Sequence, residues 1–303
     1  MAKQPTPYAS PFPNDRACDP NRQGVFLLRK KERLCYTRRM GTLVNYATFK
    51  GVAVLTLNDP PVNAYTHEML KELDAAILEA RFDEDVHVIV ITGHGDKYFS
   101  AGANINMLRE ADEFYKYYFC LHANETLCRL EQTPKLCIAA LNGHTVGGGL
   151  EIALACDMRI GRGGAFVLGL PEVKLGVLPG TGGTQRLARL VGKGRAIELM
   201  CEGENVSFEH GVELGVINKI WESATHEEFM KKIMDYAHGF TTPNKAVLAV
   251  GRIKRSVQSG LEMSLEQGLA FERELQSQLF ASHDAKEGLD AYIAKRPPQF
   301  KGK

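Results

Sequence analysis

Two short apolar runs, Val44–Phe49 and Val52–Leu57, flank Lys50-Gly51, a pattern that predicts a β-hairpin. Asn58-Asp59-Pro60-Pro61 ends the second run. Thr66 then stands where a helix cap is expected, because Met69, Leu70, Leu73, Ile77 and Leu78 follow at helical spacing. Residues 86–91, apolar and β-branched apart from His87, read as a strand covered on both faces. Residues 99–105, FSAGANI, form a compact small-residue turn, and 111–131 read as a helix bearing Phe114, Tyr117, Tyr118, Leu121 and Leu127. A second buried strand is expected over 135–141, glycines 147–149 lead into a helix from Leu150, and 157–160 and 165–168 are again strand-like. From Gly194 the pattern turns helical: 195–200, 208–214, 226–240, 245–259 and 264–280, punctuated by Pro243 and Gly260, with a last turn at 289–293. Strand–strand–helix units in one chain predict a layered α/β domain, and no repeat is visible in the residues themselves.

Composition narrows this picture only slightly. The 303 residues are 44% hydrophobic and 24% charged, with a net charge of +1, so no global field favours nucleic acid or a membrane surface. No apolar run has the length of a membrane span. Seven cysteines, at 18, 35, 120, 128, 137, 156 and 201, include no CxxC pair, which fits reduced thiols better than a disulfide framework or a zinc site. Residues 1–40 stand apart: Pro5, Pro7, Pro11, Pro13 and Pro20, many basic residues and few acidic ones. They are expected to be a disordered extension; a targeting peptide is the alternative, opposed by the prolines. The expected division is an extension over 1–40, a core over 41–193 and a helical region over 194–303.

Chemistry concentrates in residues 142–186. GGGLE places Glu151 in the first turn of a helix after three glycines, whose entropic cost points to close approach by a ligand. PEVKLGVLPGTGGTQR places Glu172 after Pro171 among Leu168, Leu170, Val173, Leu175 and Val177. If buried there, its pKa rises towards the range of a general acid or base. The GTGG run lacks the GxxxxGK[ST] phosphate-loop pattern, and is expected instead to shape the turn behind Glu172. In FSAGANI the Ala101 N–H, with that of Gly148, is a candidate pair of donors for one oxygen. Ser100, His94 or His144, and Asp157 have no spacing that supports a catalytic triad, and the nine histidines form no metal motif.

Taken in order, FSAGAxI, NGxxxGGGxE and PEVxLGxxPGxGGTQRL resemble the crotonase superfamily, and specifically its enoyl-CoA hydratases, from about residue 41 to residue 300. The resemblance implies a crotonase-like ββα spiral core with a helical C-terminal trimerisation region, assembled as a homotrimer or a dimer of trimers. It implies hydration of a 2-trans-enoyl-CoA to a 3-hydroxyacyl-CoA, as in fatty-acid β-oxidation. Its oxyanion-hole amides fall on Ala101 and Gly148, and its two catalytic glutamates on Glu151 and Glu172. These would hold one water between them, with Glu172 supplying the proton that reaches C2.

The same resemblance puts coenzyme A, as part of the substrate thioester rather than a separate cofactor, against Asn63, Ala64, Ala103, Asn104 and Ile105, with Lys295 and Lys301 approaching from a neighbouring subunit. The chain departs from the family in lacking a basic residue before Asn63-Ala64 and in having Asn104 where Asp is common. Δ3,Δ2-enoyl-CoA isomerases are the first alternative, and they often lack a carboxylate matching Glu151. Hydration of a cyclic or branched enoyl-CoA stays open, because Tyr115, Tyr117, Tyr118 and Phe119 are candidates for an acyl pocket as well as for core. A catalytically silent binding protein is the alternative of another class. No membrane or nucleic-acid partner is expected, and the expected compartment is the cytoplasm, or the mitochondrial matrix if the source is eukaryotic.

Overall fold

The computed structural model describes the backbone of residues 36–39 and, in full, residues 41–303. The first hairpin forms as its alternation predicts: β2 (Val44–Phe49) pairs antiparallel with β3 (Val52–Leu57) across Lys50-Gly51, both at positive φ. A strand with no hydrophobic signal, β1 (Tyr36–Arg39), adds to the edge of β2. The rest of the extension expected over 1–40 lies outside the described residues. α1 (His67–Phe82) is capped by the Thr66 side chain and leads into β4 (Val88–Gly93), every residue of which is buried. Such a strand must be covered twice, and it is: Ile89 and Ile91 face α1, while Val88 and Val90 face the helix α8 described below. Each aliphatic side chain so buried contributes about 1.5–3 kcal/mol relative to exposure.

Beyond β4 the chain alternates between two sheets. β5 (Tyr98–Ser100) precedes α2 (Ile105–Glu110) and α3 (Glu113–Gln132); β6 (Leu136–Leu141) precedes β7 (His144–Val146) and α4 (Gly148–Leu154); β8 (Met158–Arg162) precedes β9 (Val167–Gly169) and a 3-10 turn over Glu172–Leu175. Next come α5 (Gly183–Val191), α6 (Lys193–Glu202), β10 (Val206–Ser207), α7 (Phe208–Glu213) and β11 (Lys219–Trp221). The large sheet runs β1-β2-β3-β4-β6-β8-β11 and the small one β10-β9-β7-β5. From β3 onward both sheets are parallel apart from β10, so each ββα unit advances the chain by one strand in each sheet. This is the crotonase-like spiral. β10 and β11 lie beyond residue 193, the boundary expected for the core, yet they complete both sheets.

Asn142 locks the turn between the sheets. Its Oδ1 accepts from the Gly93 N–H (2.9 Å) and its Nδ2 donates to the Gly95 and Tyr98 carbonyls. The C-terminal helices are α8 (His226–His238), α9 (Val247–Gly260), α10 (Leu265–Phe280) and α11 (His283–Ile293), the last much longer than the single turn its apolar residues predict. α8 sets Phe229, Ile233 and Ala237 against the second face of the large sheet.

Candidate active site

The glycine run 147–149 meets three separate demands. Gly147 has φ 57° and ψ −133°, a conformation L side chains rarely adopt, and donates its N–H to the Gly169 carbonyl. A methyl on Gly148 would stand 2.0 Å from the Tyr65 Oη, and one on Gly149 2.4 Å from the Ser100 carbonyl. Closely packed chains, as much as a ligand, require these glycines. Gly148 opens α4, so its N–H has no partner within the helix.

The second expected donor does not hold. The Ala101 N–H donates to the Val62 carbonyl at 3.0 Å and is therefore committed within the fold. Two residues on, Tyr65 forms a parallel bridge with Ala103: the Tyr65 N–H donates to Gly102 and the Asn104 N–H to Tyr65. In that pattern the N–H of Ala103 itself points away from Tyr65. Of the two alanines, it is Ala103 rather than Ala101 whose amide is free. The segment lies against α4: a methyl on Gly102 would stand 2.8 Å from the Gly148 nitrogen.

Glu151, on the first turns of α4, is 2% exposed. Its Oε1 accepts from the Thr181 N–H (2.8 Å) and the Gly183 N–H (2.7 Å), and its Oε2 from the Thr181 hydroxyl. GTGG therefore wraps the carboxyl of Glu151, where the sequence pointed to Glu172. Burial raises the pKa of Glu151, and the Thr181 hydroxyl, the Gly183 and Thr181 amides and the charge of Arg186 oppose that rise. Arg186 is itself paired with Glu131 (2.6 Å) and donates to the Thr181 carbonyl, which steadies the loop.

Glu172 opens the 3-10 turn after Pro171, and its carboxyl lies over the glycine run: a methyl on Gly147 would stand 3.1 Å from its Oε1. Its Oε2 is buried with no hydrogen-bond partner. Burial raises its pKa to about 7, opposed by a hydrogen bond from its own backbone N–H and helped by the charge of Glu151. The two carboxyls thus differ in kind: Glu151 accepts three hydrogen bonds, whereas Glu172 has a buried Oε2 without a partner and a pKa near neutrality.

Other expected contacts have structural duties. The Asn63 side chain is fully buried, donating to the His94 and Tyr98 carbonyls and accepting from the Asp59 N–H, so it shapes the loop rather than facing a ligand. Asn104 caps α2 through its Oδ1 and the Met107 N–H (3.1 Å). Ala64 and Ala103 are half-buried, Ile105 is exposed, and Lys295 is exposed beyond the end of α11. Ser100 donates to the Asn63 carbonyl, a fold contact. Phe119 is buried, stacked on Tyr65 at 5.9 Å, and with Tyr115, Tyr118, His67 and His122 it lines a recess of about 250 Å³. Sequence reasoning missed Tyr65 and Thr181. Their only signal was position, beside Ala64 and within GTGG. Among the described residues no cluster of three potential metal ligands occurs, and no helix is long and apolar enough to cross a membrane.

Against known proteins, residues 47–303 match the family model described as enoyl-CoA hydratase/isomerase. The chain is 38% identical over 246 residues to a short-chain-enoyl-CoA hydratase of Clostridium acetobutylicum, covering 81% of this chain and 92% of that protein. It is 35% identical to a 2,3-dehydroadipyl-CoA hydratase of Escherichia coli, covering 83% and 96%. A crystal structure of an enoyl-CoA hydratase from Geobacillus kaustophilus superposes with a TM-score of 0.83 at 43% identity, over 88% of this chain and 99% of that one.

Proposed function

The chain belongs to the enoyl-CoA hydratase/isomerase family, and from that premise we propose that it adds water across the 2,3 double bond of a 2-trans-enoyl-CoA to give a 3-hydroxyacyl-CoA. The thioester carbonyl oxygen sits between the N–H groups of Gly148 and Ala103. Water held between Glu151 and Glu172 attacks C3 and gives a proton to Glu151. The electron pair of the double bond moves onto the thioester as an enolate, whose oxygen the two amides stabilise. Removing one such donor typically costs about 3 kcal/mol of transition-state stabilisation. Glu172 delivers a proton to C2 and the enolate collapses to product, leaving both carboxyls to exchange their proton with the next water.

The observation that carries this reading is the contrast between the two carboxyls. Three donors favour the ionised form of Glu151, which suits the base, and a carboxyl with one buried, unpartnered oxygen and a pKa near 7 suits the acid. A Δ3,Δ2 isomerisation needs proton transfer but no activated water, so it leaves Glu151 without a task. Names among the relatives include short-chain-enoyl-CoA, crotonyl-CoA and 2,3-dehydroadipyl-CoA hydratases, which sets the first substrates to try.

The test follows loss of the conjugated-enoyl absorbance with crotonyl-CoA, 2,3-dehydroadipyl-CoA and longer or cyclic enoyl-CoAs. Glu151→Gln and Glu172→Gln are each expected to lower kcat by about 10²–10⁴-fold. Full activity in either variant rejects the two-carboxyl mechanism. Turnover of a 3-enoyl-CoA without any hydration assigns the chain to the isomerases.

A further inference from the structure

Tyr65 occupies the centre of the site without having been marked by any motif. It is 2% exposed, and its ring is held between Phe119 and the Cα of Gly148, where no side chain larger than hydrogen fits. Its backbone pairs on either side of Ala103. Its Oη lies 3.3 Å from the Thr181 Oγ1, and Thr181, itself 4% exposed, touches Glu151 through the same oxygen.

The direction of these bonds follows from the number of hydrogens. An ionised carboxylate only accepts, so the single Thr181 hydroxyl hydrogen goes to Glu151 Oε2. Thr181 Oγ1 then accepts the Tyr65 hydroxyl hydrogen. Burial and the nearby charge of Glu151 raise the tyrosine's pKa well above its usual value, so it keeps that hydrogen. A carboxylate has about four acceptor positions. On Glu151 the Thr181 N–H and Gly183 N–H fill those of Oε1, and the Thr181 hydroxyl takes one of Oε2. One position stays open, on Oε2.

We propose that the Tyr65 and Thr181 hydroxyls form a relay that orients Glu151, leaving it one open acceptor position for the attacking water and so making it, rather than Glu172, the base. Both are positioning residues, since each acts through Glu151, and the inference rests on the hydratase reading only for the identity of that water. The other groups facing Glu151 leave the relay distinct. Cys120 of α3 is a neutral thiol whose pKa is raised by burial and then by Glu151. Arg186 of α5 is committed to Glu131, and Glu172 is the other acid of the pair. Tyr65 also touches Gly148, so one ring registers the base against the amide that receives the thioester oxygen.

The experiment compares the full-length wild type with Thr181→Val, Thr181→Ser and Tyr65→Phe. The Glu151 carboxyl is titrated by 13C NMR, its signal assigned by loss in Glu151→Gln, and kcat/KM for crotonyl-CoA is measured against pH. Thr181→Val is expected to raise the Glu151 pKa by about one unit and to move the acid limb of kcat/KM upward with it, about a tenfold loss on that limb. Thr181→Ser restores the wild-type titration, and Tyr65→Phe shifts it the same way by less. Wild-type titration of Glu151 in Thr181→Val and Tyr65→Phe overturns the relay. If Thr181→Val does not fold, Tyr65→Phe against Thr181→Ser decides by the same criterion. Shifted titrations in a protein that hydrates no enoyl-CoA support the relay and reject the hydratase reading instead.

Discussion

At the scale of single residues, Glu172 sets the pH behaviour. In the proposed reaction Glu172 protonates C2 and must begin protonated, so kcat/KM is expected to fall as pH rises through about 7. The same group acts on stability. Its folded pKa lies above the ordinary value of 4.5, so between about 4.5 and 7 the native state binds more proton than the unfolded chain. Stability is lost as pH rises through that window. Glu172→Gln removes the buried charge and is expected to raise Tm at pH 8 while changing it little at pH 4.5; equal Tm differences at the two pH values would count against a buried Glu172. Gly148→Ala tests packing and donor together. Its methyl meets both Oη and Cε1 of Tyr65, at 2.0 and 2.4 Å, so shortening the tyrosine to Phe cannot relieve it. The expected result is a loss of about 1–3 kcal/mol of stability in denaturant titrations, with a kcat loss of about 10²-fold or more in the hydration assay.

The two glutamates could be picked out in the sequence because isolated carboxylates beside glycine runs are unusual. Their difference could not. It depends on residues 30 positions away folding back, so that GTGG serves Glu151. The sequence points to Ala101 and not to Ala103 for a related reason. Both are small residues in one turn, and which amide stays free depends on a pairing with Val62 and Tyr65 that has no local signature.

At the scale of elements, α9 shows how a helix can carry a hidden structural charge. Lys254, though a lysine, is only 7% exposed. Its Nζ lies 3.0 Å from Asp157 Oδ2 and donates to the Leu130 and Lys135 carbonyls, tying α9 to the end of α3 and to the starts of β6 and β8. Asp157 in turn accepts the Cys137 N–H at 2.7 Å. Lys254→Met leaves that carboxylate buried without its cation and is expected to cost about 3–5 kcal/mol in denaturant titrations. Adding Asp157→Asn should recover part of the loss; full additivity of the two changes would reject the pairing. Elements with strong periodicity, such as α1, β4 and β6, follow the sequence to within two or three residues. β1, β10 and β11 escaped it because two to four residues are too few to show a period, and α5 because its glycine-rich start reads as loop.

At the scale of the whole molecule, α9, α10 and α11 expose Ile253, Val257, Leu261, Leu265, Phe280 and Tyr292. We propose that these side chains are covered in a trimer or a dimer of trimers, the assembly expected for the family. Sedimentation should then give three or six times the 33.5 kDa chain mass. Charged substitutions at Ile253 and Val257 should lower that mass, whereas a monomeric wild type would sink the proposal.

The α/β class, the buried central strands, the helical C-terminal third and the two carboxyl positions are legible before any folding. Each of these is written in local periodicity or in residue types gathered over a few positions. Tertiary contacts leave the Ala103 amide free, hand GTGG to Glu151, and bring Tyr65 and Thr181 beside that glutamate. The reason is physical: a donor is defined by whether its partner is present, and a carboxyl's pKa by what surrounds it. In a spiral of parallel strands those partners come from turns far apart along the chain.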